Sequence, residues 1–157
     1  MKIRTLQTNE WDQLAQLIFH STNDWYQKNL NRGCFGGDNP LVCRIFPEVY
    51  EGLDPGCCLV AEIDGALAGS CFYHPRETHI SLGIMNADPD FNGRGVARAL
   101  LQEIIKLAGG KPVRLVSSGL NLDSYSLYTR AGFRPIAMYQ DMIIPTGANL
   151  PKVSPKV

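Results

Sequence analysis

The chain has 157 residues, 45% hydrophobic and 19% charged, and its 15 Lys+Arg offset 15 Asp+Glu to a formal net charge of zero. That length fits one domain with enough chain to bury a core without staples, and the balanced charge excludes the bulk basic footprint of a nucleic-acid or anionic-membrane binder. The longest apolar run, residues 57–61, is far short of the ~20 residues that span a bilayer, and the N-terminus turns polar before any leader-like apolar stretch.

Residues 3–6 read as a first strand. Thr8 or Asn9 then caps a helix whose apolar face is Trp11, Leu14, Ala15 and Ile18. A second short helix is expected over 24–30, a glycine-rich loop over 31–40, and a helical turn opened by Pro47. Strands follow: 57–63, the hairpin turn Asp64-Gly65, and a return over 66–74. A third strand alternates, with Ile80, Leu82 and Ile84 on one face and His79, Ser81, Gly83, Met85 and Ala87 on the other; Gly83 inside it points to a bulge or a close backbone approach. Residues 93–108 form the best helix in the chain, with Val96, Leu100, Leu101 and Ile104 as its apolar stripe. A strand at 113–117, a helix capped by Asp123 and stopped at Gly132, and a last strand at 136–144 complete a domain of residues 1–144. Residues 145–157 are expected to be a loose tail. This order gives an α/β fold with helices packed on a mixed sheet.

Five cysteines, none in a C-x-x-C pair, are expected to be free and mostly buried thiols of a cytoplasmic protein. His20, His74 and His79 supply no ligand spacing, so no metal site is expected.

The chemistry concentrates in residues 88–101, where a strand gives way to a glycine-containing turn and then a helix. The first amides of such a helix have no internal partner and suit a pyrophosphate. Gly93 and Gly95 let the backbone approach closely. A dinucleotide fingerprint would need a third glycine where Arg98 stands.

Asn92-Gly93-Arg94-Gly95-Val96-Ala97 resembles the R/Q-x-x-G-x-G/A signature of the GNAT superfamily of N-acetyltransferases, with Asn92 in the first position. Asn121-x-x-Ser124-x-x-Leu127-Tyr128, followed by Ala131-Gly132-Phe133, resembles that family's second block. The resemblance covers residues 57–144. It implies a central mixed sheet of about six to seven strands, splayed at its centre and flanked by about four helices, and acetyl-CoA as the cosubstrate. It also implies that backbone groups of Met85, Asn86 and Ala87 hold the pantetheine arm and polarise the thioester, and that Asn92, Gly93, Arg94, Gly95, Val96 and Ala97 hold the pyrophosphate. Asn121 and Ser124 would contact the arm, and Tyr128 would protonate the departing thiolate. A phenol of pKa ~10 suits that task chemically.

The base is left open between Glu77 and His79, which share a face with Met85 and Ala87 if no bulge intervenes. No cysteine has a histidine at motif spacing, which favours direct transfer over an acyl-enzyme. Residues 20–55 are expected to wall the acceptor. Their five acids (Asp24, Asp38, Glu48, Glu51, Asp54) against Lys28, Arg32 and Arg44 suit a cationic small-molecule or peptide amine. The chain is expected to be a monomer or homodimer that contacts neither nucleic acid nor membrane. A non-catalytic acyl-CoA-binding or partner-binding module on the same fold is the alternative.

Overall fold

Four strands are laid down as an antiparallel meander: β1 (Lys2–Thr5), β2 (Cys58–Ile63), β3 (Ala66–Pro75) and β4 (Ile80–Ala87). A fifth, β5 (Val113–Arg114), adds in parallel to β4, giving the order β1-β2-β3-β4-β5. The computed structural model describes residues 1–140, 142–144 and 147. The β2–β3 hairpin turns at Asp64-Gly65, where φ is +52° and +83°, the left-handed pair that a tight two-residue turn requires. Arg4 locks the first strand: its guanidinium donates to Glu10 at 2.7 and 2.8 Å and to Glu62 at 2.8 Å.

Each face of the sheet carries its own core. On one face α3 (Val96–Leu107) buries Val96, Leu100, Leu101 and Ile104 against Leu59, Ala61, Cys71 and Leu82. On the other, α1 (Trp11–Leu30) buries Leu14, Ala15, Leu17 and Ile18 against Cys58, Val60 and Phe72. Residues 20–30 continue α1 instead of starting a second helix. The helix stops at Asn31, which adopts φ +50° and bonds back to Gln27. The side chain of Asn23 faces the loop, accepting from the amides of Cys34 and Phe35 at 2.8 and 3.2 Å.

α2 (Ile45–Leu53) contains the turn expected at Pro47, and α4 (Leu122–Arg130) completes four helices. The cap of α4 is Asn121, not Asp123: its side-chain oxygen accepts from the Ser124 amide at 3.0 Å. The sheet has five strands among the described residues, not six or seven. β5 is two residues long, so the strand-like sequence at 136–144 has no long edge to pair with. Its described residues are not in a strand, and Ile136, Met138 and Ile143 are exposed. The tail expected at 145–157 lies outside the described residues apart from Gly147. Among the described residues no helix is long and apolar enough to cross a membrane. The five cysteines are free; Cys43, Cys58 and Cys71 are buried and Cys34 is exposed.

Candidate active site

The pairing of β4 with β5 covers only Ile80–Val113 and Ser81–Arg114. Beyond Ser81 that edge of β4 has no strand partner among the described residues. The neighbouring β3 shows why the strand is irregular there. From Cys71 to Tyr73 β3 advances two residues while β4 advances three, from Met85 back to Leu82. The extra residue is a bulge at Gly83 and Ile84. Gly83 is tightly placed, since a Cβ there would lie 3.1 Å from the Cβ of Phe72 and 3.2 Å from Nε2 of His74.

The bulge overturns the simple alternation. Met85 and Ala87 join Ile80 and Leu82 on the α3 face, while Ile84 turns to the α1 face. Ser81, opposite His74 in the register, therefore lies across the strand from Met85 and Ala87, and the face expected to be shared by Glu77, His79, Met85 and Ala87 does not exist. Glu77 and His79 sit in the β3–β4 connection. Glu77 is exposed, and Nδ1 of His79 contacts Thr78 at 3.0 Å. Six residues of strand, roughly 20 Å, separate His79 from Met85. The structure brings neither candidate base beside Met85 or Ala87.

The α3 face gathers most of the other candidates. Met85, Ala87, Val96 and Tyr128 belong to one apolar cluster with Cys71, the residue opposite Met85. Tyr128 stacks obliquely on Phe133 at 5.8 Å, and burial pushes its phenol up to about 12. Burial likewise pushes the Cys71 thiol up to about 12, and its Sγ rests on the Phe72 carbonyl, so it is no thiolate nucleophile.

The helix behind the expected anion site begins three residues later than the sequence suggests. The helix starts at Val96, with Gly95 as a left-handed cap at φ +75° and Gly93 at +76°. Apart from their chain neighbours, no described residue places an atom within 4 Å of where a Cβ on either glycine would stand. The amides of Gly93, Gly95, Val96 and Ala97 have no partner among the described residues, whereas that of Arg94 already bonds the Phe91 carbonyl at 3.2 Å. The Arg94 guanidinium lies over the Phe91 ring, and exposed Asn92 caps the preceding turn. An acyl-CoA pyrophosphate fits this donor set.

Two candidates use their side chains elsewhere. Asn121 spends its oxygen on capping α4 at the Ser124 amide, leaving its NH2 group as donor. Asn86 points to the α1 face, where its NH2 group donates to Ser21 and Thr22 at 2.8 and 3.2 Å. Only its backbone remains for the unpaired edge of β4.

Sequence reasoning missed a polar group on that second face. His74 is 8% exposed, and its Nδ1 lies 2.6 Å from Oδ2 of Asp54, just past α2. Arg76 clamps the same carboxylate at 2.9 and 3.0 Å and, with His74, holds it below the usual carboxylate range. The available signal was a histidine ending the buried face Ser70-Phe72-His74 of β3. A train of rings leads from it to α1: His74–Tyr50 at 5.1 Å, Tyr50–Phe46 at 6.3 Å, Phe46–Phe35 at 6.2 Å and Phe35–Phe19 at 5.8 Å. At its far end Phe19 and Phe35 line an open cleft with Asp24 and Asp38, and no lysine or arginine lines it. One group of possible metal ligands converges among the described residues, His20, Asp88 and Asp90 within 4.8 Å. Two of the three are exposed, and Asp88 already accepts the Asp90 amide.

The sequence profile of the acetyltransferase (GNAT) family matches residues 18–133. Human N-acetylaspartate synthetase is 28% identical over 104 residues, covering 62% of this chain and 34% of that protein. Mycothiol acetyltransferase of Beutenbergia cavernae is 31% identical over 86 residues, covering 52% and 29%. The chain thus spans about a third of the length of these relatives. Among solved structures, a Pyrococcus horikoshii protein superposes with a TM-score of 0.74 at 16% identity, covering 88% of this chain and 92% of its own. The Escherichia coli ribosomal-protein-S18-alanine N-acetyltransferase superposes with a TM-score of 0.65 at 18% identity, covering 87% and 79%. The structural likenesses establish the fold, and the profile match, running over most of the chain, establishes that this protein belongs to the acetyltransferase (GNAT) family.

Proposed function

We propose that the chain is a single-domain, acetyl-CoA-dependent N-acetyltransferase that passes the acetyl group directly to a primary amine of a small molecule or peptide. The observation that carries this reading is the unpaired edge of β4, with open helix amides at one end and a buried phenol beside it. Acetyl-CoA supplies the activated acetyl thioester when bound. The amides of Gly93, Gly95, Val96 and Ala97 hold its pyrophosphate, aided by the dipole of α3. Backbone groups of Met85, Asn86 and Ala87 position the pantetheine arm along the free edge, with the NH2 group of Asn121 as a further donor. The Tyr128 hydroxyl donates a hydrogen bond toward the leaving sulfur. Its raised pKa keeps it protonated throughout the neutral range. The inert Cys71 favours direct transfer, and the free thiols suit the reducing cytoplasm.

The acceptor is read from the cleft beside α1, where two carboxylates and two aromatic rings suit a cationic amine. The human relative is named for an acidic product, N-acetylaspartate. The two directions separate in one experiment: calorimetry with acetyl-CoA, then a thiol-release assay with 1,4-diaminobutane and with L-aspartate. Micromolar acetyl-CoA binding and at least tenfold higher kcat/KM for the diamine are expected. Preference for aspartate overturns the acceptor class, and binding without turnover of any amine makes the chain an acyl-CoA-binding module.

A further inference from the structure

The Asp54–His74–Arg76 cluster costs the fold something. Asp54 places a carboxylate at the C-terminal end of α2, where the helix dipole disfavours negative charge. It is held there by a bidentate arginine and by a buried imidazole. With Nδ1–H donating to Asp54, the neutral ring presents Nε2 as an acceptor. Nε2 hydrogen-bonds to no described residue and lies 3.2 Å from where a Cβ of Gly83 would stand. It therefore reaches the β4 bulge, where the pairing with β5 has ended and the strand edge is free.

The geometry points to His74 as the base that takes the proton of the acceptor amine, with Asp54 and Arg76 as positioning residues. This rests on the acetyl-transfer reading above. His74 and Tyr128 lie on opposite faces of the sheet, His74 beside Ser81 and Gly83 of β4 and Tyr128 in the cluster that holds Met85 and Cys71. An ammonium arriving on the α1 face loses one proton to Nε2, and the neutral amine so formed makes the C–N bond to the carbonyl carbon. The C–S bond breaks, and the sulfur leaves with its electron pair toward the Tyr128 hydroxyl on the other face. The nitrogen then gives its second proton to solvent, the thiolate takes one proton up from solvent, and His74 returns its own proton there. The groups facing the ring are Tyr50 and Asp54 from α2 and its end, Arg76 beyond β3, and Ser81 and Gly83 of β4. Glu51 of α2 turns one carboxylate oxygen to the Gly56 amide.

The test uses the full chain, acetyl-CoA and two probe amines. One is 1,4-diaminobutane, protonated at neutral pH; the other is hydroxylamine, already unprotonated there. His74→Gln is expected to lower kcat/KM for the diamine about 100-fold, to lower it less than tenfold for hydroxylamine, and to leave acetyl-CoA affinity within twofold. The fall of kcat/KM for the diamine toward acid pH should be present in the wild-type chain and lost in His74→Gln, and Asp54→Asn should lower the diamine rate while sparing hydroxylamine. An equal loss on both amines, an unchanged diamine rate, or an acid limb that survives in His74→Gln overturns the assignment. If His74→Gln fails to fold, Asp54→Asn carries the same comparison, and an equal loss on both amines there overturns the assignment. If wild-type protein binds no acetyl-CoA or acetylates neither amine, the acetyl-transfer reading falls and the base falls with it. Wild-type turnover with an indifferent His74→Gln removes the base alone.

Discussion

The two faces of β4 differ in kind although they belong to one strand. The α3 face is apolar: half-buried Met85, Ala87 and Tyr128 pack against buried Val96 and Cys71, and burial raises both titratable groups among them to about 12. The α1 face is wired: His74, Asp54 and Arg76 form an ion cluster, and Asn86 is tied to Ser21 and Thr22. An apolar wall keeps a donor protonated and shields a thioester, whereas a hydrogen-bonded imidazole with one open nitrogen accepts protons.

The largest expected effect lies on the apolar face. A phenol near 12 cannot complete proton transfer to a thiolate whose conjugate acid lies near ~8.5, so Tyr128 acts by stabilising charge as it develops on sulfur. Tyr128→Phe removes that donor and keeps the ring. Single-turnover rates should fall about 10²–10³-fold with acetyl-CoA affinity within twofold. The deficit should stay constant from pH 7 to pH 10, because the wild-type phenol remains protonated across that span. A mutant with full activity in the chemical step makes the tyrosine a packing residue. A mutant that loses acetyl-CoA binding makes it part of the binding wall.

Next in size is the cradle that feeds both faces. Gly95→Val forces a β-branched residue to φ +75° and places side-chain atoms in the space before the amides. Affinity for acetyl-CoA should fall more than tenfold, about 1.4 kcal/mol. Gly110→Val is the control, because Gly110 has φ +91° and equally open surroundings but follows the other end of α3. Both variants should lose stability in thermal melts, and only the first should lose affinity in calorimetry. Equal affinity losses would remove the turn at 93–95 from the site.

How far this could be read in the sequence depends on whether the signal was local. The Asp64-Gly65 hairpin, the stripe of α3 and the two glycines before it are local patterns, and each stands where the pattern places it, α3 starting three residues later. Gly83 signalled a bulge, yet the alternation of Ile80, Leu82 and Ile84 was still read as unbroken; one inserted residue moved Ile84 to the opposite face. Asp54 and His74 are 20 residues apart and meet only after α2 folds over β3, so no spacing rule links them. The strand at 136–144 failed for a related reason: its β-favouring residues are real, but a strand needs an edge, and β5 provides two residues of one.

The smallest effects make the sharpest comparison, because two glycines report on the two faces separately. Gly69 of β3 stands opposite Ala87, and a Cβ there would meet Val96 Cγ1 at 2.5 Å and the Asn86 carbonyl at 2.9 Å. Both contacts are under 3.0 Å, so the first turn of α3 and the β3–β4 pairing must both give way. Gly69→Ala should cost about 1–3 kcal/mol of stability, a fall in Tm of roughly 3–10 °C. Lifting the first turn of α3 should also weaken acetyl-CoA binding a few-fold. Gly83→Ala instead meets Phe72 Cβ, His74 Nε2 and the Phe72 carbonyl at 3.1–3.3 Å, so β3 at Phe72 and the imidazole must each give by a few tenths of an ångström. Its stability cost should be smaller, under about 1.5 kcal/mol, and acetyl-CoA affinity should not change. What should change is kcat, several-fold down with 1,4-diaminobutane, because Nε2 is displaced from the bulge. Melting curves, calorimetry and steady-state rates on the two variants separate affinity from rate. If Gly83→Ala weakens acetyl-CoA binding as much as Gly69→Ala does, the faces are one mechanical unit, and the division between a binding side and a proton-accepting side fails.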